Sequence, residues 1–206
     1  MSAAFSASDA DLLRRARRGD VQAFGLLVGR YQDYVYNAAC HLVGSAVEAE
    51  DISQDVFLRA YGNLARFEGR AKFSTWLYGI MLNAVRSHWR RRAGHATFSL
   101  DDFDGDDEDS SRADPPDAAD GPPREAERRE QVQSVRRAIG CLEPDLREIL
   151  VLRDIQGLSY EELAEALSVP SGTVKSRLHR ARQALKERLE PLYGMPGRAQ
   201  AQGSNG

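Results

Sequence analysis

Apolar residues recur at steps of three and four along most of the chain, and this spacing predicts amphipathic α-helices. In the first half, Ser8 is a plausible N-cap for a short helix that Gly19 and Asp20 interrupt. A longer stripe follows, consisting of Phe24, Leu27, Val28, Tyr31, Val35, Ala38 and Leu42, and Gly44 ends it. The pattern predicts two further helices, at 48–61 and from about Ser74 to Arg92, separated by a loop between Gly62 and Gly69. The sequence shows no strand-period alternation here, so we expect an all-α fold.

The second half predicts a helix-turn-helix. Pro144 suits the first turn of a helix that Gly157 ends. Ser159 and Glu162 have the spacing of a capping box, and the turn 168–171 separates that short helix from a longer one. At 100° per residue, the longer helix places polar and basic side chains opposite its apolar side: Thr173, Ser176, His179, Arg180 and Gln183, flanked by Lys175 and Arg177. Such a face suits contact with the DNA major groove, although a generic α-hairpin with a solvated charged face has the same pattern.

Negative charge is concentrated in one segment between these halves. Residues 101–124 contain 10 acidic and 2 basic side chains and two Pro-Pro pairs. A segment of this composition buries little apolar area, which predicts a disordered linker. We therefore expect two small helical domains at 8–93 and 125–193, joined by an acidic linker at 94–124 and followed by a disordered tail at 194–206.

Overall composition excludes several classes of protein. The 206 residues are 42% hydrophobic and 29% charged, which is typical of a globular chain. No apolar run is long enough to span a bilayer, and the N-terminus lacks the features of a secretory signal. Cys40 and Cys141 match neither a disulfide framework nor a zinc site, and we expect both to be buried small hydrophobes in a cytoplasmic protein.

One predicted helix has an acidic face that contains Asp51, Gln54 and Asp55. Three interpretations remain open from the residues alone: a solvated surface, a docking face for a basic partner, or a carboxylate pair for catalysis or metal binding. The third lacks an accompanying His or further carboxylate at ligand spacing.

Aromatic and basic residues alternate between 66 and 78. Phe67, Phe73, Trp76 and Tyr78 lie among three cations, and they are not all expected to face one core stripe. Rings that stack on bases and cations that hold phosphates suit single-stranded nucleic acid. The helix that follows places Asn83, Arg86 and Arg90 in one sector. The alternative is a set of core aromatics followed by a solvated basic helix end.

Taken together, the chain resembles a bacterial extracytoplasmic-function (group 4) sigma factor of the sigma-70 family. Four segments support the resemblance: DISQDVFLRAY at 51–61 is similar to region 2.2, 67–78 with its central KFSTW to region 2.3, 80–92 to region 2.4, and 158–182 to region 4.2. Two features depart from the family pattern. Ser168 occupies a turn position where the family often has glycine, and the linker is longer and more acidic than many.

The resemblance implies a role for each surface. Asp51, Gln54, Asp55 and Phe57 would bind the clamp of the largest subunit of core RNA polymerase, and the flap of the second-largest subunit would be a further partner. The −10 element would be opened and its strand held by Phe67, Lys72, Phe73, Ser74, Trp76, Asn83, Arg86 and Arg90. The −35 duplex would be recognised by Thr173, Lys175, Ser176, Arg177, His179 and Arg180.

The resemblance also implies an anti-sigma factor as regulator, and it implies no catalytic residue, metal or cofactor. Two alternatives follow from the residues: a helix-turn-helix regulator that binds duplex DNA without polymerase, and a nuclease that uses Asp51 and Asp55. We further hypothesise that the acidic linker weakens DNA binding by competing for the basic faces of the free chain.

Overall fold

The computed structural model describes residues 7–95 and 122–191, and these ranges are almost entirely helical. The α-helices are α1 (Asp9–Ala16), α2 (Val21–Val43), α3 (Ala46–Asn63), α4 (Phe73–His95), α5 (Pro122–Gly140), α6 (Pro144–Leu150), α7 (Tyr160–Leu167) and α8 (Ser171–Leu189). A 3-10 turn (Leu64–Arg66) follows α3, and a π-helical turn (Val151–Ile155) follows α6. No strand occurs within the two described ranges, and the all-α prediction is confirmed.

The helix ends follow the local chemistry of the sequence. Ser8, Asp20 and Ser45 each accept a hydrogen bond from a backbone N–H in the first turn of α1, α2 and α3. Gly44 ends α2 in the left-handed region, with φ 79°. Helix α4 continues to His95 and α5 begins at Pro122, so helical structure extends into the predicted linker from both sides. The rest of that linker and the tail beyond residue 191 lie outside the described residues.

The predicted apolar stripes form the core. In α1–α4 its fully buried members include Leu12, Leu27, Leu42, Leu77, Met81 and Leu82, and in the second half they include Ile149, Leu150, Leu152 and Leu163. Cys40 is partly buried, but Cys141 is exposed, so the prediction that both cysteines are buried is wrong for Cys141. Cys141 lies in the turn just after α5, where the next residue, Leu142, takes the core position.

The two helix groups, α1–α4 and α5–α8, pack against each other in this structure. Helix α4 lies along α7, and α2 contacts α5 and the π-helical turn. Their buried apolar side chains form one continuous cluster. None of the described helices is long and apolar enough to cross a membrane.

Candidate partner and nucleic-acid interfaces

The helix-turn-helix consists of α7, a tight turn and α8. The capping box is present: the Ser159 Oγ accepts from the Glu162 N–H (3.2 Å), and the Glu162 carboxylate accepts from the Ser159 N–H (2.8 Å). Ser168 ends α7 with φ 55° and ψ 45°, a left-handed conformation that is costly for a residue with a side chain. Residues 168–170 alone separate α7 from α8, which starts at Ser171.

Helix α8 has one buried and one accessible side. Val174, Leu178 and Ala181 are buried against α6 and α7. Among the residues implied in −35 recognition, Lys175, Ser176, His179 and Arg180 are exposed, and Thr173 and Arg177 are partly exposed. Arg177 also lies 3.4 Å from the Asp145 carboxylate, and only 20% of the Arg177 side chain is exposed. Thr173, Ser176, His179 and Arg180 thus lie on the side of α8 opposite its buried residues, and Lys175 and Arg177 lie on its two flanks.

The acidic face of α3 is a real surface feature. Asp51 and Gln54 are exposed, and Asp55 pairs with Arg59 at 2.7 Å. Leu58 lies one helical turn after Gln54 on this face, with 73% of its surface exposed. The face therefore combines acidic and apolar side chains. Phe57 is only 9% exposed and packs in the core. The prediction that places Phe57 in contact with a partner does not fit this position, because residue 57 lies about a third of a turn away from Leu58.

The aromatic residues between 67 and 78 are mostly core residues. Phe67 and Phe73 are buried, with their ring centroids 5.7 Å apart in an edge-on arrangement. The centroid of the Trp76 ring lies 5.0 Å from that of the Phe67 ring. Phe67, Phe73 and Trp76 therefore pack together, while Tyr78 lies against the second helix group. The four rings do not all face one stripe, as the sequence predicts. Phe67 and Phe73 are not accessible to a base in this conformation, whereas Trp76 and Ser74 are partly exposed and Lys72 is exposed.

The basic side chains of α4 differ in their partners. Asn83 is exposed, and Arg90 is exposed with its guanidinium donating to the Ser87 hydroxyl at 2.9 Å. Arg86 instead donates two hydrogen bonds to the Glu148 carboxylate, at 2.8 and 2.5 Å. This bond to Glu148 raises the pKa of the Arg86 guanidinium. Glu148 itself is completely buried.

Two further polar contacts join α4 to the second helix group. Lys72 Nζ lies 2.8 Å from the Glu162 carboxylate, and this contact lowers the pKa of Glu162. The Tyr78 hydroxyl donates to the Gln156 side chain at 2.8 Å, and burial raises the pKa of Tyr78.

Arg147 of α6 also bridges the two helix groups. Its guanidinium donates to the Leu42 carbonyl at the end of α2 (2.7 Å) and to the carbonyls of Gly140 and Leu142. The same group lies 5.1 Å from the centroid of the Trp89 ring. No spacing in the sequence indicates these contacts of Glu148, Glu162 and Arg147. A lone glutamate in the apolar run LREILVL is a signal for a buried charge, but its partner lies 62 residues away.

The described residues contain no group of three or more His, Cys, Asp or Glu side chains that could hold a metal ion. Asp51 and Asp55 lie on an open helix surface rather than in a cleft, and the nearest partner of Asp55 is a cation.

Two protein-family models match the chain in the order that the resemblance implies. Sigma-70 region 2 matches residues 27–95, and Sigma-70 region 4 matches residues 133–185. The first match contains α3 and α4, and the second contains the helix-turn-helix.

Curated relatives match over almost the whole chain. The RNA polymerase sigma-H factor of Pseudomonas aeruginosa is 37% identical over 89% of this chain and 95% of its own length. The ECF RNA polymerase sigma-E factor of Escherichia coli is 36% identical over 90% of this chain and 96% of its own length.

Solved structures agree with these relatives. CnrH, solved with the cytosolic domain of CnrY, is 28% identical with a TM-score of 0.65, over 89% of this chain and 97% of its own. The sigma factor RpoE of Bartonella quintana, solved with the anti-sigma factor NepR, is 28% identical with a TM-score of 0.60, over 81% of this chain and 96% of its own. The order of the two surfaces, the two family matches and these relatives lead to one assignment: the chain belongs to the sigma-70 family and is an ECF RNA polymerase sigma factor.

Proposed function

We propose that this sigma factor divides promoter recognition between its two helix groups. Helix α3 docks on the clamp of core RNA polymerase, α4 and the segment before it hold the opened −10 strand, and α8 recognises the −35 duplex. The observation that best supports this division is that one chain contains both an exposed acidic and apolar face on α3 and an exposed basic face on α8.

The two DNA surfaces suit different forms of DNA. The α8 face is convex, with its cations and hydroxyls on one side of a helix of 19 residues, which suits insertion into a major groove. The α4 surface has Trp76, Asn83 and Arg90 beside a rigid aromatic core, which suits unpaired bases and their phosphates. Phe67 and Phe73 support this surface from below rather than contact a base.

The polymerase partners follow from the remaining surfaces. The clamp would meet Asp51, Gln54 and Leu58 on α3 through charge and apolar contact together. The flap of the second-largest subunit would meet the second helix group at a cleft of about 390 Å³ between α6 and α8. Its lining contains Leu142, Leu146 and Ala184, and also His179 and Arg180, so this surface borders the −35 face. An anti-sigma factor is the proposed regulator, supported by the RpoE–NepR structure.

No catalytic step is assigned to this chain. Strand opening would use the free energy of binding to the unpaired strand, and the sequence has no phosphate-binding Gly loop for nucleotide hydrolysis. The chain would act in the cytoplasm, where it meets polymerase and DNA. The domain limits 8–93 and 125–193 stay predictions, and so does competition by the acidic linker, most of which lies outside the described residues.

The test is transcription with purified components. The full chain is mixed with core RNA polymerase and a pooled promoter library, and the run-off transcripts are sequenced. We expect discrete start sites that share one −35 and −10 pair. Transcripts no different from those of core polymerase alone, with duplex binding intact, would overturn the proposal in favour of a regulator that acts without polymerase.

Matched variants separate the surfaces. An Asp51→Asn, Gln54→Ala double variant should lose most of its affinity for core polymerase, whereas Glu165→Gln, an exposed carboxylate on α7, should retain it. Arg180→Ala should weaken binding to the −35 duplex roughly tenfold or more, while Arg137→Ala, an exposed arginine on α5, should change it little.

A further inference from the structure

We propose that Tyr34 of α2 is a further base-stacking residue of this sigma factor and holds one unpaired nucleotide of the opened promoter strand. Tyr34 is 58% exposed, the largest exposed fraction of any aromatic residue within the two described ranges. This inference rests on the proposed function, in which α4 and the segment before it hold the −10 strand. It adds α2 to that surface and extends the path of the strand beyond α4.

A continuous series of ring contacts joins Tyr34 to the −10 surface. The ring centroids of Trp76 and Phe73 are 5.7 Å apart, and the Phe73 centroid lies 5.5 Å from that of Tyr31. The Tyr31 centroid in turn lies 6.4 Å from that of Tyr34. These distances fall in the range at which aromatic pairs attract each other. Phe73 is buried in the middle of the series, and Tyr34 ends it with an exposed ring.

Tyr31 is a fixed support for the Tyr34 ring. The Tyr31 hydroxyl donates to the Asp9 carboxylate of α1, which also accepts from the Arg30 guanidinium at 2.6 Å. The other end of the Tyr31 side chain packs against Phe73 with an angle of 70° between the two ring planes. Tyr31 is therefore held at both ends, and Tyr34 packs on it from three residues later on α2. A ring supported in this way loses little freedom when a base stacks on its open side.

The neighbours of Tyr34 place it on the same side of the first helix group as Lys72. Burial raises the pKa of the Tyr78 hydroxyl, and the nearby Tyr34 and Glu162 raise it further. Glu162 lies 2.8 Å from Lys72 Nζ, so Tyr34 and Lys72 lie around the same hydroxyl. The exposed carboxylate of Asp33 lies about 100° away from Tyr34 around α2, outside this surface. One strand can therefore contact the lysine and the Tyr34 ring together.

The chemistry of an exposed, supported tyrosine suits an unpaired base of any kind. Every base has a π-face, so stacking on a ring is tolerant of sequence. Tyr34 would strengthen strand binding without selecting a base, whereas the polar face of α8 reads base edges in a duplex. Paired DNA gains nothing from Tyr34, because its bases are already stacked on each other.

The test uses holoenzyme assembled from the full chain and core RNA polymerase. The DNA is a promoter found by the run-off assay, with mismatches across its −10 element so that the strand is already unpaired. The strand has one abasic site at each unpaired position in turn, and the dissociation constant is measured for every position. The variants are Tyr34→Leu, which removes the ring, and Tyr34→Phe, which keeps it. Val21→Ala is the matched control, since Val21 is 61% exposed on the same helix, about 20 Å away along its axis.

We expect Tyr34→Leu to weaken binding of the intact strand about tenfold, the order expected for the loss of one stacked base. Tyr34→Phe and Val21→Ala should leave it nearly unchanged. One abasic site should cost the unmodified holoenzyme about tenfold and should cost the Tyr34→Leu holoenzyme nothing, because the ring and its base form a single interaction. The affinities for core polymerase and for the −35 duplex should stay the same.

Additive losses at every abasic position would overturn the proposal, because the ring would then contact no base. Equal losses for Tyr34→Leu and Tyr34→Phe would also overturn it. A loss of core-polymerase affinity in Tyr34→Leu, without coupling to any base, would assign the residue to a protein contact instead.

The run-off assay of the unmodified chain separates the two proposals. Discrete start sites together with additive losses would refute the role of Tyr34 alone, whereas an absence of start sites would refute the proposed function.

Discussion

Replacement of Arg147 by methionine tests whether the two helix groups fold as one unit. The guanidinium donates to three carbonyls, of Leu42, Gly140 and Leu142, and lies over the Trp89 ring. Hydrogen bonds from a charged donor contribute about 1.5–3 kcal/mol each. Burial opposes them, since it lowers the pKa of this guanidinium and leaves its Nε without a partner, and desolvating an ion costs several kcal/mol. The balance predicts a net loss of about 2–4 kcal/mol on substitution.

The measurement is urea unfolding followed by far-UV circular dichroism. Tryptophan fluorescence is less suitable because Trp89 touches the mutated side chain. Arg180→Met is the matched control, since Arg180 is exposed on α8. Besides the loss of stability, we expect one unfolding transition for the unmodified chain and two for the variant, as the bridge to Leu42 is removed. A loss within 1 kcal/mol of the control, with one transition retained, would refute the assignment of Arg147 as a bridge; this threshold is about half the smallest loss expected.

Three further predictions concern single sites. Burial and the nearby Arg136 hold the pKa of His41 at about 4, below the ordinary 6.5. The free energy of unfolding should therefore be highest above pH 6.5 and fall by about 3 kcal/mol as the pH drops to 4. Urea midpoints across this pH range should show the fall, and His41→Gln should reduce it. Ser159→Ala should cost about 1 kcal/mol by removing the capping box of α7, and an unchanged thermal midpoint would contradict this. Ser168→Gly should raise stability by about 0.5–1 kcal/mol because it relieves a left-handed backbone, whereas Ser168→Val should lower it, both measured by thermal unfolding.

Much of the fold follows directly from local sequence patterns. The stripe from Phe24 to Leu42 predicts α2, and the pair Ser159 and Glu162 predicts the start of α7, because a helix face and a cap are set by residues close together in the chain. The exposed face of α8 is predictable for the same reason. The 100° rotation per residue fixes which side chains oppose Val174 and Leu178.

Contacts between distant segments could not be predicted in this way. Nothing near Arg86 in the sequence indicates Glu148, and no spacing rule shows that Phe67, Phe73 and Trp76 share a core. The loop before α4 turns the chain so that residue 67 meets residues 73 and 76, and a helical wheel does not describe such a loop. The same limit explains the wrong expectation for Cys141 and the core position of Phe57, where a shift of one residue decides between core and surface.

The exposed Leu58 on α3 has a consequence for the behaviour of the protein in solution. A leucine with 73% of its surface in water offers apolar area to a second copy of the chain. Asp51 places a negative charge on the same face, whereas the charge of Asp55 is balanced by Arg59. Like charges on two approaching copies repel each other, so replacement of Asp51 by an apolar residue should shorten the time for which the purified protein stays monodisperse.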